Sequence, residues 1–247
     1  MAGMPLVLIH GYPFDHTMWS RVVAALPARI RPVTLDLPGF GKEPAPAAEP
    51  NMDVMAEHIV RLLDRERISQ AVLGGFSMGG YAALAVAERH PQRLAGLALI
   101  NSQPFADTDE VRSGRRTIIA KVRQEGVEAA SKAALGKMFT PGKPATEELA
   151  AIPNRGAAQA GVEGITWALE AMARRSDRTE ILRRLNVPLL IVHSAGDQFI
   201  PIQRIRDLAK NLPAARYVEI PEAGHATPLE TPDAVAAALA DFMESVK

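Results

Sequence analysis

The sequence predicts an α/β fold: a mostly parallel sheet of about six strands, helices on both faces and a small helical insertion. Three observations lead there. Short, continuous apolar runs recur along the chain, amphipathic stretches with helical spacing lie between them, and one block, residues 105–177, carries helical patterns but no convincing strand. Continuous rather than alternating apolar runs are what strands covered on both faces require, and strand–helix alternation builds βαβ units.

Taken in order, the expected strands are residues 6–10, 31–35, 71–75, 94–101, 188–193 and 216–220. The first helix is expected over 17–26. The second, 53–65, places Val54, Ile59, Leu62 and Leu63 on one side and charges elsewhere. An Ala-rich helix follows over 77–89. Two more, 203–211 and 231–246, close the chain, the last with Pro232 suited to a first helical turn. The block 105–177 contains Gly126, Gly136, Pro141, Gly142, Pro144, Pro153, Gly156 and Gly161, which are expected to divide it into short helices. It reads as a cap over one end of a core made of residues 1–104 and 178–247. Its Trp167, Met138, Phe139 and Met172 either only hold the cap to the core or also meet a ligand.

Composition narrows the function. The chain has 247 residues, a length at which α/β folds form one core. With 28 Lys plus Arg against 28 Asp plus Glu, it has no net field to draw in nucleic acid or an anionic membrane. The absence of cysteine removes disulfides, thiolate metal sites and a Cys nucleophile together. The N-terminal sequence lacks a basic segment followed by a signal-type apolar core, and the first apolar run is too short to span a bilayer, so a cytoplasmic location is expected.

The sharpest local signal is Gly75-Phe76-Ser77-Met78-Gly79-Gly80, which follows an apolar run and opens a helix. Glycines are needed because so abrupt a strand-to-helix turn leaves no space for flanking side chains. It presents Ser77 as a nucleophile, and the amides after it, at a helix N-terminus, face developing negative charge. The first strand ends in His10-Gly11-Tyr12-Pro13. Gly11 would let this loop approach the elbow, and the backbone N–H groups of Tyr12 and Met78 are the expected oxyanion donors, since Pro13 has none. His10 reads as structural.

A serine hydroxyl needs a neighbouring base. Of the six histidines, His58 and His90 read as surface residues, His16 as the start of a helix, and His193 as a strand-end residue that hydrogen-bonds a loop. His225, in Glu222-Ala223-Gly224-His225-Ala226, sits in a loop between the last strand and the last helix, free to reach the serine. The acid is expected to be Asp197, in a loop at a strand's C-terminal end, with a turn-capping role as the alternative. Asp36, in Asp36-Leu37-Pro38-Gly39-Phe40-Gly41, reads as part of a structural turn.

These motifs, with Gly196-Asp197 followed by Pro201, make the sequence resemble α/β-hydrolases of the small esterase, cofactor-free haloperoxidase/perhydrolase and enol-lactonase group. The resemblance covers the chain outside 105–177. It implies a Ser77–Asp197–His225 triad, oxyanion donors at Tyr12 and Met78, and no metal or organic cofactor. Two departures stand out. Only a few residues precede Leu6 where the family usually has two further strands, so a sheet without that hairpin is expected. Ser194 stands where glycine would be common, with no expected effect on chemistry.

The resemblance implies hydrolysis of a small, fairly apolar carboxylic ester or lactone, held near Phe14, Phe76, Trp167, Phe199 and Ile200. An enol-lactonase, a C–C bond hydrolase and a perhydrolase share the triad and remain open. Ser77 argues against dehalogenases and epoxide hydrolases, which use an Asp nucleophile. A hydrolase-like small-molecule receptor in signalling is the alternative of another class; it would show only slow or single-turnover hydrolysis. The sequence carries no marker of oligomeric state.

Overall fold

The computed structural model of the chain describes residues 3–143 and 145–246; Pro144, expected as a helix divider, lies outside them. The six expected strands form, as β1 (Leu6–Ile9), β2 (Val33–Leu35), β3 (Ala71–Phe76), β4 (Leu94–Ile100), β5 (Leu189–Ser194) and β6 (Arg216–Ile220). They make one sheet in the order β2-β1-β3-β4-β5-β6, and every neighbouring pair is parallel. Nearly every residue of β1, β3, β4 and β5 is buried, whereas β6, at an edge, starts exposed and stays mostly half-covered. That difference is why the inner strands read as unbroken apolar runs and β6 reads as mixed.

Alternate residues feed two separate cores. Val7, Ile9, Leu73, Leu97, Leu99 and Ile191 point to one. Leu6, Leu8, Val72, Ala98, Leu190 and Val192 point to the other. The first core is closed by α2 (Met52–Arg65), α3 (Met78–Arg89), α7 (Thr179–Arg183) and α8 (Ile202–Lys210), the second by α1 (Ser20–Ala25), α9 (Thr227–Glu230) and α10 (Pro232–Ser245). Helix α2 begins where Asn51 accepts a hydrogen bond from the Val54 amide at 2.8 Å, a side-chain cap. The helix expected over 17–26 divides into a 3-10 turn, His16–Trp19, and α1, with Asp15 capping the turn.

The block 105–177 forms three helices, α4 (Asp109–Glu125), α5 (Glu128–Met138) and α6 (Glu147–Ala173), packed on one another. Gly126, at φ +89°, ends α4 as expected. Gly136, Pro153 and Gly156 do not divide helices. Gly136 lies inside α5, and α6 passes through Pro153 and Gly156; Gly161, whose φ of +63° and ψ of −176° are not helical, divides it into two helical stretches, as expected. The role of Gly156 is close approach: a Cβ there would stand 2.2 Å from the Pro13 carbonyl oxygen. Helix α6 thus rests directly on the loop after β1, and that tertiary contact outweighs local propensity.

Candidate active site

The sheet order reverses at β1: β2 lies on one side of it and β3 on the other. In open parallel sheets such a switch point opens a crevice at the strands' C-terminal ends. Here the loops after β1 and β3 flank it.

Strand β3 ends at Phe76 and α3 starts at Met78, so Ser77 makes the whole turn, with φ +49° and ψ −115°. This is a conformation that costs a non-glycine residue about 1–3 kcal/mol. It also turns the hydroxyl outward. A serine at a helix N-cap ordinarily bonds the first turn, yet Ser77 makes no side-chain cap bond. The neighbouring glycines make the turn sterically possible: a Cβ on Gly75 would stand 2.5 Å from the Gly79 carbonyl carbon, and one on Gly79 2.3 Å from the Ile9 oxygen. Ser102 Oγ donates to the Ser77 carbonyl at 2.8 Å and ties the elbow to the end of β4.

The imidazole of His225, between β6 and α9, lies between the serine and the carboxylate. Its Nε2 stands 2.9 Å from Ser77 Oγ and its Nδ1 2.7 Å from Asp197 Oδ2. All three side chains are largely buried. The ring is held by Phe76 and Phe199, with centroids at 5.1 and 4.9 Å. Asp197 uses both oxygens. Its Oδ1 accepts from the amides of Phe199 (2.8 Å) and Ile200 (3.0 Å), the turn-capping role; Oδ2 faces His225 and also accepts from Asn101 Nδ2 at 3.0 Å. Burial opposes ionisation of this carboxyl. The charge and hydrogen bond of His225, the nearby His193 and the Asn101 bond outweigh it, lowering the pKa to about 2.

Behind the acid lies a polar cluster that the sequence did not reveal. Asn101, just past β4 with φ +43°, donates to Ser194 Oγ at 2.7 Å as well as to Asp197, and its Oδ1 accepts from Thr227 Oγ1 at 2.6 Å. Ser194 Oγ in turn donates to the Gly224 carbonyl at 2.5 Å. Ser194, the departure from the family pattern, therefore braces the loop that carries His225. The signals available were an asparagine at a strand's end and a serine in place of glycine, and neither names a partner.

The amides of Tyr12 and Met78 have no protein acceptor among the described residues; Met78 opens α3, where no intrahelical acceptor exists. His10 is structural, as expected. Its Nε2 accepts from the Leu37 amide at 2.9 Å, and burial lowers its pKa, which keeps it neutral for that bond. His193 donates from Nε2 to the Ile200 carbonyl at 2.9 Å, the expected loop contact. Asp36 accepts from the His16 amide at 2.8 Å and from the Lys42 amide at 3.3 Å, in keeping with a structural turn. His58, read as a surface residue, is instead buried, its ring 3.2 Å from the Asp36 carbonyl, because α2 packs that side against the β2 loop.

A cavity of about 490 Å³ opens from Ser77 and His225 towards α4–α6. Phe199 and Ile200 line it, as expected, and so do Met138 and Met172. Three expected substrate contacts do not reach it. Phe14 and Phe76 are fully buried, their rings 5.9 Å apart, with Phe76 packed behind His225. Trp167 turns into the core and donates from Nε1 to the Ala48 carbonyl at 3.0 Å.

A parallel sheet with a strained serine between strand and helix, and a histidine and a carboxylate brought to it by later loops, defines a class, and the chain belongs to it: residues 4–232 match the alpha/beta hydrolase fold family. Among its relatives are the dihydrolipoyllysine-residue acetyltransferase component of the acetoin cleaving system of Pseudomonas putida, 32% identical over 94% of this chain, and the 2-hydroxymuconate semialdehyde hydrolase of Pseudomonas sp. (strain CF600), 30% identical over 98% of this chain and 87% of that protein. The chain spans 61% of the length of the Pseudomonas putida relative. A solved structure, the thermophilic esterase from Thermogutta terrifontis with malate bound, superposes with a TM-score of 0.92 at 31% identity, covering 99% of this chain and 91% of that one. Other matches are named as methyl ester esterases and enol-lactonases.

Proposed function

We propose that the chain is a serine hydrolase that cleaves small carboxylic esters through an acyl-enzyme on Ser77. The observation that carries this reading is the continuous path from Asp197 Oδ2 through His225 to Ser77 Oγ, with steps of 2.7 and 2.9 Å, ending at the wall of a cavity. The similarity to an esterase at 31% identity supports it. Residues 105–177 act as the cap that shapes this cavity, and residues 1–104 and 178–247 as the catalytic core.

In this mechanism Asp197 accepts the Nδ1–H of His225, which leaves the lone pair of Nε2 facing the serine. As Ser77 Oγ attacks the ester carbonyl, its proton passes to Nε2 and the carbonyl oxygen becomes an oxyanion. The free amides of Tyr12 and Met78 hold that charge; losing one such donor typically costs ~10²–10³ in rate. The tetrahedral intermediate collapses, the proton on Nε2 moves to the departing alkoxide, and the alcohol leaves. Water then enters, gives a proton to Nε2 and attacks the acyl carbon. The second intermediate expels Ser77, which regains its proton, and releases the acid.

The test is a screen of short acyl esters, aryl esters and lactones, with Ser77→Ala protein as blank. Turnover several orders of magnitude lower in the variant is expected, with an unchanged fold. A Ser77→Ala protein that kept a tenth of the wild-type rate would overturn the reading.

A further inference from the structure

We propose that the cavity selects esters or lactones whose non-reacting end carries a carboxylate, bound at Arg115. This rests on the reading of Ser77 as an esterase nucleophile and names its substrate class. Part of the cavity wall is charged. Asp107, whose side chain is 2% exposed, is held by two guanidinium groups: Arg115 Nε at 2.7 Å from its Oδ2 and Arg175 Nη1 at 2.6 Å from its Oδ1. Among the described residues, neither arginine has another carboxylate partner. One anion thus serves two mostly buried cations, and a unit of positive charge is left over. Arg115 Nη1 meets only the Met172 thioether, at 3.4 Å.

The rest of the wall points the same way. Lys137 and Arg204, both exposed, also line the cavity; the Arg204 guanidinium lies 4.0 Å over the Phe105 ring. The chain as a whole is neutral, so this excess is local. The same cavity is lined by Tyr12 and by Gln103, a side chain about nine-tenths buried. The Tyr12 hydroxyl and Gln103 Oε1 are buried without a hydrogen-bond partner. Buried polar groups are rarely left unpartnered, and buried charge without a counter-ion is costlier still. A carboxylate would accept from the hydroxyl and the guanidinium, and the carboxamide can turn its NH₂ towards it. An ester carbonyl needs none of this, since its developing charge is met by the backbone amides at Ser77. The charged wall therefore serves another part of the substrate, while Ile118, Leu169 and Met172 accommodate an apolar spacer.

The experiment measures kcat/KM with the full chain for two matched series. Monomethyl esters of five- to eight-carbon dicarboxylic acids are compared with methyl esters of the corresponding monocarboxylic acids, and ω-acetoxy carboxylic acids with alkyl acetates. In at least one series the charged substrate should be favoured by roughly tenfold to a hundredfold, mainly through KM, as expected for a hydrogen bond to a charged group. Arg115→Met should lower that ratio at least tenfold, and Arg115→Lys should restore part of it. A ratio near one in both series for the wild type, or one unmoved by Arg115→Met, overturns the inference while leaving the esterase reading intact. If no ester is turned over, the esterase reading fails by itself. The anion site is then judged by calorimetry with the half-esters and Ser77→Ala protein: tighter binding than the neutral esters, lost on adding Arg115→Met, supports it, and equal binding refutes it.

Discussion

Replacing Asp197 by asparagine should disable the relay while leaving the loop in place. The reason lies in which donors face each oxygen. Oδ1 accepts from two backbone amides, Phe199 at 2.8 Å and Ile200 at 3.0 Å, and only an oxygen can satisfy them. The carboxamide introduced by Asp197→Asn must therefore put its NH₂ where Oδ2 stood. That position faces two groups that now donate, His225 Nδ1 at 2.7 Å and Asn101 Nδ2 at 3.0 Å. The imidazole can relieve its clash by shifting its proton to Nε2, so that Nδ1 accepts. The proton then points at Ser77 Oγ, and the ring can no longer take the serine's proton. A histidine locked in the wrong tautomer costs about 10⁴ in turnover in serine proteases of another fold, or ~5 kcal/mol of barrier. The expected outcome is a fall of three to four orders of magnitude in kcat for a p-nitrophenyl ester near pH 8, with an unchanged circular dichroism spectrum. An Asp197→Asn protein within tenfold of wild type would refute the reasoning and require a different acid.

The same carboxyl should give a pH signature in stability. Its folded pKa, about 2, lies below the ordinary 3.8, so its contribution is present above about pH 4 and is lost as pH falls towards 2, by an order of ~2 kcal/mol. Urea midpoints at pH 5 and pH 3 should show about half of this loss, as a fall in wild type larger than that in Asp197→Asn, whose other carboxylates, Asp36 among them, still titrate; equal losses would count against the shift. At Asn101, φ is +43°, so Asn101→Ala should be less stable than Asn101→Gly by ~1 kcal/mol, although both lose the bonds to Asp197 and Ser194. Chemical denaturation checks the order, and an alanine variant at least as stable as the glycine one would contradict it. Gly79→Ala would drive a methyl to 2.3 Å from the Ile9 carbonyl oxygen, and a yield of soluble, folded protein equal to wild type would show that the elbow has room the geometry denies it.

How much of this was legible follows from what kind of constraint each residue obeys. The inner strands were legible because both their faces are covered, which forces unbroken apolar runs such as Leu6–Ile9 and Leu189-Leu190-Ile191-Val192. Ser77 was legible because its turn demands glycine at two positions that no other residue can fill. Trp167 misled because an aromatic residue in a cap is expected to be covered, and the sequence does not say whether by a ligand or, as here, by the protein's own core. Helix α6 passes through Pro153 and Gly156 against their local propensity, because Gly156 lets the helix touch the backbone at Pro13, a contact no local pattern encodes. Arg115 was invisible for a further reason: its meaning depends on Asp107 and Arg175, residues 8 and 60 positions away, sharing one ion cluster.

The polar cluster behind Asp197 shows why the relay belongs to the sheet and not to any one loop. Asn101 follows β4, Ser194 ends β5, and Gly224 and His225 follow β6. The pairings Ile100 with Val192 and Ser194 with Ile220 set those three strand ends side by side. A slip of one residue would turn Asn101 away from Asp197, which would lose a donor, or Ser194 away from the Gly224 carbonyl, which would lose its brace. The distance from His225 to Ser77 is therefore fixed by strand register, braced by Asn101 and Ser194, at the C-terminal end of β3, which delivers the serine.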